Sequence, residues 1–287
     1  MINTSEPQDR IMDRTLLRSK FIKRFGSDPE TIRDIKDIEK IEQIDADERF
    51  PCQSPNEALM LASQAFPQAT AISFLPNGSV SDVPINWTYK EYQEEVYRAA
   101  NMFHSLGLQS DQSVIFLLPN VPQFLFGLWG AQLAGIAAPI NPYLEVEHIA
   151  SIAKSANAKI LVTLAPSQPG GEDLWNKAMR AKSIASDIQQ IIVIGDSQDD
   201  YSSSWDQATR AQPSDRLIFD RPISGTEIAS YFHTGGTTGA PKLAQHTHRR
   251  QVLNVCQMQI TGPRGKEKNE FADCDIILCT LPLFHVN

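Results

Sequence analysis

Between Ala71 and Ile194, short apolar runs alternate with longer amphipathic ones, and this alternation constrains the fold more than any other feature of the chain. Ala71 to Leu75 is a short apolar run followed by the turn Pro76-Asn-Gly78, a strand and hairpin signal. Thr88-x-x-Glu91 is a capping-box pattern. After it Tyr92, Val96, Ala99, Ala100, Phe103 and Leu106 keep helical spacing, and Gly107 ends the segment. Ser113 to Leu118 reads as a fully apolar strand stopped by Pro119-Asn120, with a helix following over Val121 to Leu133. The order repeats: strand Ile136 to Ile140, helix Glu145 to Ser155, strand Ile160 to Thr163, helix Leu174 to Ile184, strand Ile191 to Ile194. Strands this apolar need cover on both faces. Helices between them supply it, so the chain is predicted to be α/β, a parallel sheet of βαβ layers covered by helices.

Three segments are expected: a charged helical leader over 1–50, an α/β subdomain over 51–200, and 201–287 as the start of a second α/β subdomain. In the leader, isoleucine recurs at Ile32, Ile35, Ile38, Ile41 and Ile44, a spacing that drifts around a helix and leaves a poor stripe. The leader is read as packing on the body, with a partner-binding arm as the alternative. Asp196 to Asp206 is polar and reads as a surface loop.

The net charge of −8 argues against whole-protein attraction to nucleic acid or an anionic membrane. No window approaches the roughly 18 uninterrupted apolar residues of a membrane span, and Met1 to Arg10 has no apolar core of a secretory signal. Cys52, Cys256, Cys274 and Cys279 form no CxxC pair, which reads as reduced thiols in a cytoplasmic protein. A zinc site using Cys274 and Cys279 is the alternative.

Function is concentrated in Phe232-His-Thr-Gly-Gly-Thr-Thr-Gly-Ala-Pro-Lys242. Six consecutive small residues, three of them threonine, let the backbone approach a polyanion and aim amides and hydroxyls at its oxygens. A strand over Ile228 to Phe232 delivers the run, and ligands in open α/β sheets sit beyond the carboxyl ends of strands. The run is no Walker A loop, because Pro241 precedes Lys242 and Leu243 follows it; GxGxxG is absent as well. Thr234, Thr237 and Thr238 offer hydroxyls, Gly235, Gly236 and Gly239 offer unobstructed amides, and Lys242 adds positive charge against phosphate oxygens. His233 helps to shape the loop or is structural. His246 and His248 are read with Arg249 and Arg250 as a helix start with a solvated basic face; as a metal pair they lack a nearby third ligand.

Thr234-Gly-Gly-Thr-Thr-Gly-Ala-Pro-Lys242, with His248 six residues beyond the lysine, resembles the signature loop of the AMP-forming adenylating enzymes. Leu281-Pro-Leu-Phe-His-Val-Asn287 is similar to the block that follows that loop in the family. The resemblance runs over most of the chain after residue 50 and is nearest to bacterial fatty-acyl-CoA synthetase-like members. Two departures stand out: Gly235 replaces the commoner serine, and Leu243 the commoner glycine. The resemblance implies a ligase that activates a carboxylic acid, such as a fatty acid, with ATP and Mg2+ to an acyl-adenylate, then transfers the acyl group to coenzyme A. It also implies that His285 contacts a carboxylate or phosphate oxygen near the nucleotide; the alternative is a buried histidine capping a strand end. Full members are expected to be roughly twice as long. On that reading this chain is the N-terminal portion of an acyl-CoA synthetase-like fold, inactive alone. The magnesium ligand, the ribose aspartate, the hinge and the adenylation lysine would lie outside it. A non-catalytic nucleotide-binding remnant is the runner-up, and no kinase signature is present.

Overall fold

The computed structural model describes residues 34–43, 45–49, 52–197, 202–234, 242–261 and 276–285. Two strands, β1 (Thr70–Phe74) and β2 (Ile85–Thr88), form an antiparallel pair. The other seven are β3 (Ser113–Phe116), β4 (Ile136–Pro139), β5 (Ala158–Leu164), β6 (Gln190–Ile194), β7 (Ser202–Ser204), β8 (Ile228–Thr234) and β9 (Lys242–Thr247). They form one sheet in the order β7-β6-β5-β3-β4-β8-β9. All neighbours are parallel except β8 and β9, which run antiparallel.

The helices are α1 (Ile35–Glu42), α2 (Ala46–Arg49), α3 (Pro55–Ala65), α4 (Tyr89–Ser105), α5 (Pro122–Ala134), α6 (Val146–Ser155), α7 (Gly171–Ile184), α8 (Trp205–Arg210) and α9 (His248–Thr261). The chain leaves β3 for β4 on one side and returns to β5 on the other. Because parallel crossovers are right-handed, this reversal places α6 and α7 on the face opposite α5. The helix α5 packs against α4, and α4 against α8.

Local chemistry explains these boundaries. The Thr88 hydroxyl accepts from the Glu91 amide at 3.2 Å and the Glu91 carboxylate accepts from the Thr88 amide at 2.8 Å, so the capping box opens α4 as read. Gly107, at φ +85°, ends the helix in a left-handed turn. The strands β3 and β4 are buried at every residue, as their unbroken apolar runs require. The side chains of Phe103, Phe116, Phe124 and Trp205 fill the layer between this sheet and α4, α5 and α8. Here α5 comes very close: a Cβ on Gly130 would lie 2.7 Å from Ala99 Cβ and 2.9 Å from the Ala100 backbone nitrogen of α4.

Two expectations need correcting. The stretch Asp196 to Asp206 is not a plain surface loop, since it contains β7 and the start of α8. Ser202 to Ser204 extend the sheet beside β6, and Trp205 is buried. The segment after Lys242 is a strand, β9, before it is a helix. In the leader, α1 has no buried residue and its Ile35 is 64% exposed, while Ile38 and Ile41 are half-buried; Ile32 and Ile44 lie outside the described residues.

Candidate functional site at the carboxyl edge

The parallel strands β3, β4 and β8 all end at the same edge of the sheet, and the residues of interest gather there. The strand β8 carries His233 and Thr234 at its carboxyl end, and β9 begins with Lys242. Thr234 and Lys242 face each other across the ladder, with the Thr234 hydroxyl 3.5 Å from the Lys242 carbonyl oxygen. Both are exposed. The strands therefore bring the two ends of the glycine-threonine run together. Gly235, Gly236, Thr237, Thr238 and Gly239 themselves lie outside the described residues.

Two asparagines at the ends of neighbouring strands hold this edge together. Asn141, just past β4, donates its backbone N–H to His233 Nε2 at 3.0 Å. Asn120, just past β3, grips the segment that carries the second motif: its Nδ2 donates to the Leu281 carbonyl at 2.8 Å and its Oδ1 accepts from the Leu283 amide at 2.9 Å. Phe284 then inserts into the main core at 5% exposure, leaving His285 exposed beside it with ring centroids 5.0 Å apart. His285 is thus not a buried cap of a strand end. Its charge acts on His233, whose pKa is lowered first by burial and then by His285.

The base of the hairpin is anchored differently. Ser230 Oγ accepts from Gln132 Nε2 of α5 at 2.8 Å and from Gln251 Nε2 of α9 at 2.9 Å. The expected solvated basic face is corrected here. His248 begins α9, as read, but has no exposed surface, and neither ring nitrogen has a hydrogen-bond partner. Burial pushes its pKa down to about 4, and the nearby Arg221 lowers it further against an opposing effect of Glu227. Arg249 is not solvated either: it bonds the carbonyls of Cys52 at 2.7 Å and Ala46 at 2.8 Å and pairs with Asp47 at 2.6 Å, tying α2 to α9. His246 packs against Phe232 instead, with ring centroids 5.1 Å apart.

Asn120 and Asn141 were not singled out in the sequence. The available signal was their position close behind an apolar run, in Pro119-Asn120 and Asn141-Pro142. A separate groove of about 400 Å³ lies between α4, α5 and α8, lined by Trp87, Arg98, Trp205 and Arg210 among others. Its Arg98 pairs with Glu95 and its Arg210 lies 3.9 Å from Asp206, so its charges are matched internally.

Among the described residues no group of three His, Cys, Asp or Glu side chains comes together. Cys52 and Cys256 are buried, Cys279 is exposed, and Cys274 lies outside those residues. No helix of the described residues is long and apolar enough to cross a membrane.

The sheet is mostly parallel, and β8 and β9 bring Thr234 and Lys242 together at the carboxyl edge, where open α/β sheets hold their ligands. The chain belongs to the AMP-binding enzyme family, which matches residues 61–287. It is similar to marinolic acid–CoA ligase of Pseudoalteromonas sp. (strain SANK 73390), 46% identical over 267 residues that cover 93% of this chain and 40% of that protein. It is also similar to 4-coumarate:CoA ligase 1 of Petunia hybrida, 29% identical over 79% of this chain and 39% of the relative. The chain therefore spans about two-fifths of the length of these relatives. Among solved structures, the anthranilate CoA ligase AuaEII in complex with anthranoyl-AMP matches with a TM-score of 0.55 and 20% identity, over 67% of this chain and 35% of that one. The inhibitor-bound N-terminal domain of FACL13 from Mycobacterium tuberculosis matches with a TM-score of 0.54 and 24% identity, over 69% and 45%. These likenesses show the fold: mixed α/β with a mostly parallel central sheet, as in the N-terminal domain of acyl-CoA synthetase-like structures.

Proposed function

We propose that this chain carries the nucleotide-binding part of an AMP-forming acid–thiol ligase, acting in the cytoplasm on a carboxylic acid, with a fatty acid as the favoured class. The observation that carries the reading is the pairing of Thr234 with Lys242 across β8 and β9, which brings the two ends of the glycine-threonine run together at the carboxyl edge. Family membership and the named ligase relatives support it.

In the reaction, a carboxylate oxygen attacks the α-phosphorus of ATP and pyrophosphate leaves, giving an acyl-adenylate. The thiol of coenzyme A then attacks the acyl carbon and AMP leaves. The protein's task in the first half is to hold a polyanion and stabilise departing charge with donors already in place. Thr234, Thr237 and Thr238 supply hydroxyls, Gly235, Gly236 and Gly239 supply amides, and Lys242 supplies a full charge. His285, exposed at the same edge, meets a carboxylate or phosphate oxygen. The nucleotide's Mg2+ finds no ligand cluster among the described residues, so no step is assigned to it.

Carboxylate-dependent ATP–pyrophosphate exchange, run against a panel of acids on the protein that carries this chain, tests the reading. Lys242→Ala should slow exchange about 10- to 100-fold, the worth of one charge-assisted hydrogen bond, and leave transfer from preformed acyl-adenylate to coenzyme A much less affected. Equal slowing of both halves would contradict the assigned role. ATP binding without exchange for any acid would favour a nucleotide-binding remnant.

A further inference from the structure

We propose that His233 is a ligand-binding residue in its own right, presenting Nδ1–H as an uncharged donor to an anionic oxygen of phosphate or carboxylate at the carboxyl edge. The inference rests on the proposed function of that edge and adds a residue to it.

The argument starts from the Asn141 amide. An N–H at 3.0 Å from His233 Nε2 requires a lone pair there. A neutral imidazole has one N–H, so the proton sits on Nδ1. The requirement is firm because the Asn141 turn is itself fixed. Its Oδ1 accepts from the Tyr143 amide at 2.9 Å and its carbonyl from the Leu144 amide at 3.2 Å. The adjoining Pro142 carbonyl accepts from Lys177 Nζ at 2.9 Å, and that ammonium lies 3.1 Å from Asp173.

Nδ1 is then a donor with no partner among the described residues, on a half-buried ring one position before Thr234. Because the ring is only half-buried, Nδ1 keeps access to solvent and is free to exchange water for a ligand oxygen. It stands where the sheet holds its ligand. Burial first, and then the neighbouring His285 of the adjoining segment, lowers the pKa of the ring and favours its uncharged form. The competing account makes His233 a clip between β8 and the turn after β4, with no ligand role.

Two substitutions separate these accounts. A glutamine reaches the Nε2 position and accepts from Asn141 but offers nothing at Nδ1. An asparagine offers an N–H at the Nδ1 position but does not reach Asn141. Binding of ATP, and separately of octanoate, is measured by calorimetry on the full chain. His233→Gln should keep the thermal midpoint and lose about tenfold in affinity for one of the two probes, the one whose oxygen the ring meets. His233→Asn should lower the midpoint and keep most of that affinity. Glutamine binding both probes as tightly as wild type overturns the inference. Ring 15N spectra of the wild type give an independent reading: Nδ1 should be protonated and its signal should move on saturation with the bound probe. An unprotonated Nδ1, or one blind to both probes, overturns it equally. Wild type binding neither probe would remove the proposed function, and this inference with it; wild type binding with glutamine unimpaired removes this inference alone.

Discussion

The sheet's centre and its carboxyl edge are built by opposite means. At the centre, β3 and β4 are buried at every residue and β5 at all but one. The helices above come so close that Gly127 and Gly130 have no room for a methyl group. At the edge, β8 and β9 are largely half-buried or exposed, and single polar contacts hold the parts together: Asn141 to His233, and Asn120 to the 281–283 backbone. Stability at the centre is spread over many contacts and is intolerant of volume. The edge is pinned at a few points, so it can open at low cost. Of the residues proposed to meet the ligand, those described, His233, Thr234, Lys242 and His285, belong to the second kind.

The largest effect should come from testing the centre. In Gly130→Ala the new methyl meets backbone as well as the Ala99 side chain, so α4 and α5 must move apart. A loss of about 3 kcal/mol is expected, at the upper end of ordinary overpacking, read as a lower urea midpoint. Ligand binding by the molecules that remain folded should be unchanged. A variant as stable as the parent would mean that the packing between these helices is looser than the distances imply.

An effect of similar size is expected from pH. His248 is neutral in the fold, with a pKa near 4 against an ordinary value of 6.5. Between those values the unfolded chain binds more protons than the folded one, so stability rises with pH. The contribution is complete above pH 6.5 and is lost as pH falls towards 4, on the order of 3 kcal/mol. His233 and His246 are shifted in the same direction and add to the trend. His248→Met isolates the buried ring: urea midpoints from pH 7 to pH 4 should slope less in the variant than in the parent. Parallel slopes would show that this histidine does not titrate with unfolding.

The same division explains what could be read from the sequence. Elements made by burial announce themselves: the apolar runs at 113–118, 136–140 and 191–194 are strands, and the capping box opens a helix as its residues require. The serine run of β7 carries no apolar alternation, so its place in the sheet comes from pairing with β6 and remained hidden. Trp205 in that polar stretch was the overlooked sign of a buried element. The basic-looking His248-Arg249 pair misled because charge in a sequence does not reveal whether carbonyls are waiting for it, as those of Ala46 and Cys52 are for Arg249. At the candidate site, Thr234 and Lys242 were legible as the ends of a loop. The Asn141–His233 bond joins residues 92 apart, and no local pattern encodes it.

The smallest effect on the whole molecule should come from Asn120→Ala, and it bears most directly on the contrast. The side chain donates to the Leu281 carbonyl and accepts from the Leu283 amide, while Phe284 remains inserted in the core. Losing two hydrogen bonds at a half-buried asparagine should cost about 1 kcal/mol in global stability. Locally, the Leu283 amide loses its acceptor, and its hydrogen exchange should quicken about tenfold while amides of β3 and β5 keep their protection. If the urea midpoint instead fell as far as in Gly130→Ala, the 281–285 segment would be part of the cooperative core. His285 would then be held as rigidly as the strands beneath it. Confined exchange would leave it a residue of the edge, carried by a segment that one side chain and one phenyl ring keep in place.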